Sequence, residues 1–196
     1  IVGIAIFLSI IIMGGYNGLV STQQAVEAQW AQVQNVYQRR ADLIPNLVKT
    51  VEGAANFEKG TLTDITEARA SIGKVQFTSA PTDPAQLEQF EKAQGALGGA
   101  LGRLMVVVER YPDLKANANF QALQSQLEGS ENRISVERGR FNEVAQTYNT
   151  KIKSIPAVFY AAALGFKERP YFQAKAGAEE PPAVDFNFGS AKPAQP

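Results

Sequence analysis

The chain contains no cysteine and no histidine among its 196 residues. The lack of cysteine excludes disulfides and thiol nucleophiles. The lack of histidine removes the commonest general base, the usual zinc sites, and both Ser-His-Asp and Cys-His catalysis. The sequence therefore favours a protein that is not an enzyme. It predicts no catalytic residue, no cofactor, no cofactor-binding residue and no metal site.

An excess of charge of either sign is also lacking. Lysine plus arginine and aspartate plus glutamate number 19 each, so the formal net charge is zero. Proteins that bind nucleic acid typically present a strongly basic surface to the phosphate backbone. The balanced charge argues against a nucleic-acid partner.

No charged residue precedes Glu27, and residues 1–13 are apolar apart from Ser9. A membrane-spanning helix needs about 20 largely apolar residues, so this run alone is slightly short. The chain begins at Ile1 without an initiator methionine, and we expect further residues upstream. Because Met13-Gly14-Gly15 is a poor cleavage site, we predict an uncleaved transmembrane anchor at residues 1–19 and not a signal peptide.

Apolar residues recur at helical spacing from residue 20 to residue 155, and no segment alternates with period two. The predicted fold class is all-α, with the N-terminal transmembrane helix followed by an antiparallel up-and-down bundle that has coiled-coil-like spacing. Four runs are expected, over residues 20–53, 61–77, 83–110 and 112–155. Thr61, Thr63 and Asp64 are candidate caps of the second run, whereas Asp83 and Pro84 are expected to begin the third.

Residues 38–50 place Pro45 inside the first helix. Proline removes a backbone donor, which predicts a kink near Ala41. We expect Leu43, Leu47 and Val48 to contact the other helices. The glutamines of this helix, from Gln23 to Gln38, predict an outer face rich in amides.

The proline-containing break near residues 78–83 leaves the number of helices open. If the second and third runs fold back on each other as a hairpin, the bundle has four helices. If they continue in one direction as a single interrupted helix, the bundle has three long helices. We divide the remaining chain into a bundle at 20–155, an apolar C-terminal segment at 156–173 and a mobile Pro-containing tail at 174–196. The apolar segment is expected to lie on the membrane, on its own bundle or against a neighbouring subunit.

The last two predicted helices contain a run of glycines and several polar residues on their apolar stripes. Gly95, Gly98, Gly99 and Gly102 resemble a phosphate loop but lack the Gly-Lys-Ser/Thr ending, so they predict a close helix crossing within the bundle or between subunits. Each glycine costs about 0.8–1.0 kcal/mol of helix propensity relative to alanine. Polar residues on the apolar stripes are expected to fix helix register, and these are Gln94, Ser130 and Glu137.

Carboxylates on the last helix carry an alternative hypothesis. Glu128 and Glu131 share a helix face, which would suit a carboxylate metal-site enzyme. Ion pairing explains them more simply, because arginines are available as partners across the bundle. The carboxylates are Glu128, Glu131, Glu137 and Glu143, with Arg133, Arg138 and Arg140 beside them in the sequence. The expected partners across the bundle are Arg39, Arg40, Arg69 or Arg138.

Several short motifs resemble the LemA family, in the same order and over nearly the whole chain. They include Arg39-Arg40-Ala41-Asp42-Leu43-Ile44-Pro45-Asn46-Leu47-Val48 and Gly165-Phe166-Lys167-Glu168-Arg169-Pro170-Tyr171-Phe172, with further matches at 16–20, 68–70, 111–117, 131–134 and 182–186. The resemblance implies an N-terminal membrane helix and a helical bundle, but no activity. Relatives in magnetosome formation imply a part in organising membrane.

These observations together predict a non-enzymatic, membrane-anchored bundle that self-associates as a scaffold or organises membrane. An adaptor for a membrane protease or transport system is the alternative, and a carboxylate metal-site enzyme using Glu128 and Glu131 comes after it. The expected partners are the lipid bilayer, further copies of the chain and other membrane proteins. The resemblance implies a single-pass protein of the bacterial plasma (inner) membrane with its bundle in the cytoplasm.

Overall fold

The computed structural model describes residues 2–53, 58–75 and 77–173, without the side chains of residues 2 and 4–11. All regular structure within these ranges is helical, which confirms the all-α prediction. The elements are α1 (Val2–Glu52), α2 (Lys59–Gly73), α3 (Pro84–Val108), α4 (Pro112–Lys115), α5 (Ala118–Lys153) and a 3-10 turn, η1 (Ala157–Phe159).

The longest packed pair is α1 with α5, and the two helices are antiparallel. Lys151 near the end of α5 donates to the carbonyl of Gly18, at 2.8 Å. Glu131, nearer the start of α5, pairs with Arg40 at 2.8 Å. Early residues of one helix therefore meet late residues of the other.

Helices α2 and α3 form a hairpin, which confirms the four-helix alternative. Glu58 before α2 pairs with Arg110 after α3 at 2.8 Å, and Asp64 pairs with Arg103 at 3.4 Å. The loop between the two helices packs beside Glu27 of α1. The hairpin therefore covers the part of α1 that follows Glu27, while α5 also covers the part before it.

Two helix starts depart from the sequence prediction and one agrees with it. Asp83 accepts a hydrogen bond from the Ala85 amide at 2.9 Å ahead of Pro84, as predicted. Helix α2 instead begins at Lys59, so Thr61, Thr63 and Asp64 are not its caps. Thr63 lies inside the helix, where its hydroxyl donates to the Lys59 carbonyl at 3.1 Å.

The last helix does not directly follow Pro112 as predicted. A separate turn of helix, α4, comes first, and α5 begins after Asn117. The Asn117 side chain accepts hydrogen bonds from the amides of Asn119 and Phe120, at 2.9 and 3.2 Å. Because the Asn117 side chain binds these free amides, a new helix begins after it and the preceding turn of helix ends.

The interior divides into two apolar clusters, one at each end of the bundle. The near core surrounds Trp30, whose ring lies 5.1 Å from Phe90 and 5.6 Å from Phe141. The far core contains the buried residues Ile44, Leu47, Leu97, Leu104, Phe120 and Leu127. Polar side chains of α1, α3 and α5 lie between the two clusters.

Helix α1 continues without interruption through Pro45. Pro45 has no N–H for the carbonyl of Ala41, and the Arg69 Nε of α2 donates to that oxygen at 3.2 Å. Leu47 is fully buried in the far core, with Leu43 and Val48 half-buried against it, as predicted. The bend near Ala41 stays a prediction.

After α5 the chain turns back along the bundle. Gly165 adopts a φ of 85°, a left-handed conformation that glycine accepts without strain. Ala157, Ala161 and Phe166 are buried in the near core. The apolar C-terminal segment thus docks on its own bundle.

None of the helices, judged on their described residues, has an apolar stretch long enough to cross a membrane. The anchor predicted at residues 1–19 depends mainly on side chains outside the described residues. The predicted tail at 174–196 lies outside them entirely.

Replacing Arg69 by methionine should remove the side-chain donor that binds the Ala41 carbonyl among the described residues. We expect the free energy of unfolding to fall by about 1–3 kcal/mol, the usual cost of an unsatisfied buried group. Urea denaturation followed by circular dichroism measures it.

The control is the same change in a Pro45→Ala background, where residue 45 regains an amide for that carbonyl. Arg69→Met should then cost measurably less. An equal cost in both backgrounds would show that the Arg69 bond does not replace the missing amide.

Candidate functional site

A polar layer separates the near and far cores. Its buried members are Arg40, Gln94 and Ser130, each no more than 4% exposed, and Glu131 completes it at the surface. Arg40 Nη1 lies 2.8 Å from Glu131 Oε1. Burial lowers the pKa of Arg40, and the Glu131 carboxylate counteracts that shift. The arginine therefore depends on Glu131 for compensation of its charge.

Two atoms of the polar layer have no hydrogen-bond partner among the described residues. They are a donor, Arg40 Nε, and an acceptor, Gln94 Oε1. A buried polar atom left unpaired costs about 1–3 kcal/mol. Most buried polar atoms in native interiors are hydrogen-bonded to protein groups or to ordered water. Ser130 differs, because its hydroxyl donates to the Gln126 carbonyl at 2.8 Å.

The polar layer opens into a cleft of about 530 Å³ between α3 and α5. A second hollow of about 300 Å³ continues it toward the far core and also borders Arg40 and Glu131. We call the two together the glycine-lined cleft. Its α3 wall includes four glycines beside larger polar and apolar residues, and these are Gly95, Gly98, Gly99 and Gly102.

The predicted close helix crossing at these glycines is wrong within the bundle. A Cβ at Gly95 or Gly102 would meet nothing within 4 Å. The closest helix pairs are α1 with α5 and α2 with α3, which leaves α3 and α5 apart. Only Gly98 makes room for a neighbour, the Arg40 guanidinium, 3.0 Å from the position of an added Cβ. A crossing between subunits stays a prediction.

The predicted carboxylates are mostly engaged by neighbouring side chains. Glu128 accepts from Gln124 at 3.0 Å, and Glu137 accepts from Gln29 at 2.7 Å. Both Glu128 and Glu131 line the cleft, as their shared face predicted. No three acidic side chains gather as metal ligands in the part of the chain that the structure describes. Glu143 and Arg133 lie exposed on α5, Arg140 pairs with Glu137, and Arg138 pairs with Glu91.

The amide-rich face of α1 is partly used inside the molecule. Gln29 bonds to Glu137, as above, and Gln34 donates to the Phe77 carbonyl at 2.5 Å. Gln24 and Gln32 remain exposed. The glutamines thus join helices as well as facing solvent.

Residues 166–173 run along α5 without regular secondary structure, and we call them the C-terminal strand although they pair with no β-strand among the described residues. Asn149 accepts from the Arg169 amide at 2.9 Å and donates to its carbonyl at 2.8 Å. Asn142, two turns earlier in α5, makes the same pair of bonds with Phe172. It accepts from the Phe172 amide at 2.9 Å and donates to the Phe172 carbonyl at 2.8 Å. The two asparagines thereby fix both the position and the direction of the strand.

The Arg169 side chain lies at the centre of a buried junction. Its guanidinium pairs with Glu27 of α1 at 2.9 Å and also donates to the Ala80 carbonyl. Glu27 in turn accepts from the Ala80 amide at 2.7 Å. Arg169 is 5% exposed, so its charge is compensated almost entirely by the protein. The junction joins α1, the α2–α3 loop, α5 and the C-terminal strand.

Between α5 and the strand, an apolar patch faces outward. Ile155 and Phe159 are each 79% exposed, and Val158 and Leu164 are about half exposed. The segment contacts the early part of α1, where the rings of Tyr16 and Phe166 lie 5.7 Å apart. The apolar patch, defined by these four residues, therefore lies on a segment that packs beside Tyr16, just after the apolar run at residues 1–13.

Sequence reasoning missed Glu27, Asn142 and Asn149. The sequence does show that Glu27 is the first charged residue of the chain and that the two asparagines are seven positions apart on one helix. Neither observation identifies a partner, because the partners come from the distant C-terminal strand.

Comparison with known proteins gives one consistent result. The sequence pattern of the LemA family matches residues 29–186. "Magnetosome protein MamQ 1" and "Magnetosome protein MamQ 2" of Paramagnetospirillum magneticum are each 30% identical to this chain, over 92% of it and 72% of their own length. "Protein LemA" of Metamycoplasma hominis is 26% identical, over 71% of this chain and 60% of its own length.

Replacing Glu27 by glutamine should leave Arg169 buried without its counter-charge. We expect a loss of about 3–5 kcal/mol in the free energy of unfolding, as found when one partner of a buried pair is removed. The matched control is Glu168→Gln, which breaks the adjacent but exposed pair with Lys153. That change should cost less than about 1 kcal/mol. Equal losses in urea denaturation would contradict a central role for the buried junction.

Proposed function

The chain belongs to the LemA family, and we propose that it acts at a bacterial membrane as a non-enzymatic, single-pass helical scaffold. The observation that carries this proposal is the apolar patch, whose segment packs beside Tyr16 of α1. Residues 1–13 of that helix are the apolar run of the sequence. Two apolar features thus meet at one end of the bundle, where a bilayer would cover both.

Exposed side chains of this size favour contact with lipid. Burying apolar surface is worth about 25 cal/mol for each Å² removed from water. Four large apolar residues grouped on one short segment form an interaction surface, unlike scattered single residues. In this arrangement the anchor at residues 1–19 enters the bilayer through its apolar run, residues 1–13, and the apolar patch lies in the membrane surface.

Polar residues around the apolar patch suit the headgroup region. Tyr16 is 43% exposed, and tyrosine is enriched at the boundary between membrane and water. Lys153 and Lys167 are exposed on either side of the patch. Lysines near a membrane are attracted to anionic lipid headgroups. The end of the bundle therefore combines an apolar centre with tyrosine and lysine at its edge.

Self-association and scaffolding complete the proposal. The relatives named as magnetosome proteins support a role in organising a bacterial membrane structure. The bundle is proposed to lie on the cytoplasmic side and to assemble with further copies of the chain. The absence of histidine and cysteine supports a role without catalysis.

Membrane contact can be measured with a tryptophan placed in the apolar patch. The Phe159→Trp variant of the full protein is reconstituted in vesicles of phosphatidylcholine and phosphatidylglycerol. The fluorescence of its new tryptophan should be quenched strongly by lipids whose acyl chains are brominated near the headgroup. The native Trp30 is buried in the near core and supplies the baseline.

Val106→Trp is the matched control, because Val106 is 71% exposed on α3 toward the far core. The added tryptophan should be quenched by the brominated lipids no more than the native Trp30 is. If Phe159→Trp were quenched no more than Val106→Trp, the apolar patch would not lie in the membrane.

Self-association predicts that the full chain in mild detergent has the mass of two or more copies by light scattering. A strictly monomeric mass would remove the self-associating part of the proposal. Crosslinking in native membranes distinguishes the scaffold from the adaptor alternative. A scaffold should be crosslinked mainly to further copies of itself, whereas an adaptor should be crosslinked mainly to other membrane proteins.

A further inference from the structure

We propose that two copies of the chain pack together through one exposed face of α3, with the two helices parallel and crossing at Gly99. This inference rests on the self-association in the proposed function, and it names the surface that carries it. The surface, which we call the glycine stripe, consists of exposed residues of α3 spaced alternately by four and three positions, so that they share one face of the helix. They are Glu88, Lys92, Gly95, Gly99, Gly102 and Val106.

The glycines of the stripe have no close neighbour among the described residues. An added Cβ at Gly95 or Gly102 would meet nothing within 4 Å, and one at Gly99 would meet only the Arg103 guanidinium, at 3.9 Å. Glycine inside a helix lowers helix stability relative to alanine. The three glycines therefore weaken α3 without a packing gain within the described chain, which favours close contact with a second molecule.

A second copy of the chain is the partner that fits this face. Two helix backbones approach closely only where both helices carry small residues. In a pair of identical helices related by a two-fold axis, the same surface of each copy faces the other. Gly99 then meets Gly99 at the crossing, with Gly95 and Gly102 on either side. An unrelated partner would need a stripe of small residues of its own, whereas a second copy supplies one.

The direction of α3 makes the parallel arrangement compatible with one membrane. Near the start of α3, Phe90 packs against Trp30 in the near core, whereas Leu104 near its end lies in the far core with Leu47. Helix α3 therefore runs in the same direction as α1, which begins with the apolar run at residues 1–13. Two copies anchored in one membrane by that run point the same way, so their α3 helices are parallel.

The charges at the near end of the stripe are complementary in this arrangement. Glu88 and Lys92 are exposed one turn apart, and neither forms an ion pair within the part of the chain that the structure describes. In the parallel pair, Glu88 of one copy lies beside Lys92 of the other, and the two-fold axis repeats the contact. Reciprocal ion pairs between helices set the choice of partner and the orientation.

The glycine-lined cleft beside the stripe holds buried groups that a second copy can use. Arg40 Nε is a donor and Gln94 Oε1 an acceptor, and neither has a hydrogen-bond partner among the described residues. Both residues border the cleft and are no more than 4% exposed, and Glu88 and Lys92 border it as well. A second α3 that covers the cleft brings a carboxylate and an ammonium, which are an acceptor and a donor.

Replacing Gly99 by leucine tests the crossing in the full chain. The leucine has room within one copy, so circular dichroism and thermal unfolding should show a folded variant at least as stable as the native chain. Light scattering over a concentration series in mild detergent should show that the dissociation constant of the assembly rises about tenfold or more, because the side chain holds the two backbones apart.

The matched control is Gly139→Leu. Gly139 is an exposed glycine of α5 with equally open space at its Cβ, and it does not border the cleft. This variant should self-associate as the native chain does.

Single cysteines test the position and direction of the contact, because the chain has no native cysteine. A disulfide requires Cα atoms about 4.4–6.8 Å apart. Under mild oxidation Gly95→Cys, Gly99→Cys and Gly102→Cys should each form a disulfide-linked dimer on a non-reducing gel. Gly139→Cys should remain a single chain.

The outcomes separate this inference from the proposed function. A self-associated chain in which Gly99→Leu assembles as tightly as Gly139→Leu would overturn the α3 interface and leave self-association standing. Equal crosslinking of Gly139→Cys would do the same. Dimers that form only when Gly95→Cys and Gly102→Cys chains are mixed would overturn the parallel arrangement. A native chain that is strictly monomeric would contradict both the interface and self-association.

Discussion

The pairing of Arg169 with Glu27 is the constraint on which the arrangement of the elements depends. A buried ion pair gains little over an apolar replacement, because both charges must leave water. Once Arg169 is buried, however, it requires Glu27 and the Ala80 carbonyl in fixed positions. Since these groups belong to α1, the α2–α3 loop and the C-terminal strand, satisfying one arginine orients three parts of the chain.

A second buried arginine, Arg40, organises the middle of the bundle in a different way. Its guanidinium occupies the space that a side chain at Gly98 would fill, and Glu131 compensates its charge. Among the described residues, the Nε atoms of both arginines are without a hydrogen-bond partner, and so is Gln94 Oε1 beside Arg40. The two sites differ in their surroundings, because Arg169 pairs with Glu27 and the Ala80 carbonyl inside the junction, whereas Arg40 borders the glycine-lined cleft.

The sequence predicted the parts of the fold that depend on local pattern. The apolar stripe of α3 is buried from Leu87 to Val108, and Asp83 caps it as expected. It did not predict contacts that depend on distant residues, such as Glu27 with Arg169, which are 142 positions apart. The spacing of the glycines led to a wrong prediction of a helix crossing within the bundle for a related reason. Glycine indicates only that a side chain is lacking, and the sequence does not show whether a helix or an open cleft lies opposite.

The C-terminal run carries two features in sequence order. Residues 155–164 carry the apolar patch, and residues 166–173 form the C-terminal strand. The Asn149 and Asn142 bonds fix the strand against α5. Because the apolar patch lies between the end of α5 and this strand, both of its ends are attached to the bundle. The surface that we propose to contact the membrane is therefore held at one place on the bundle.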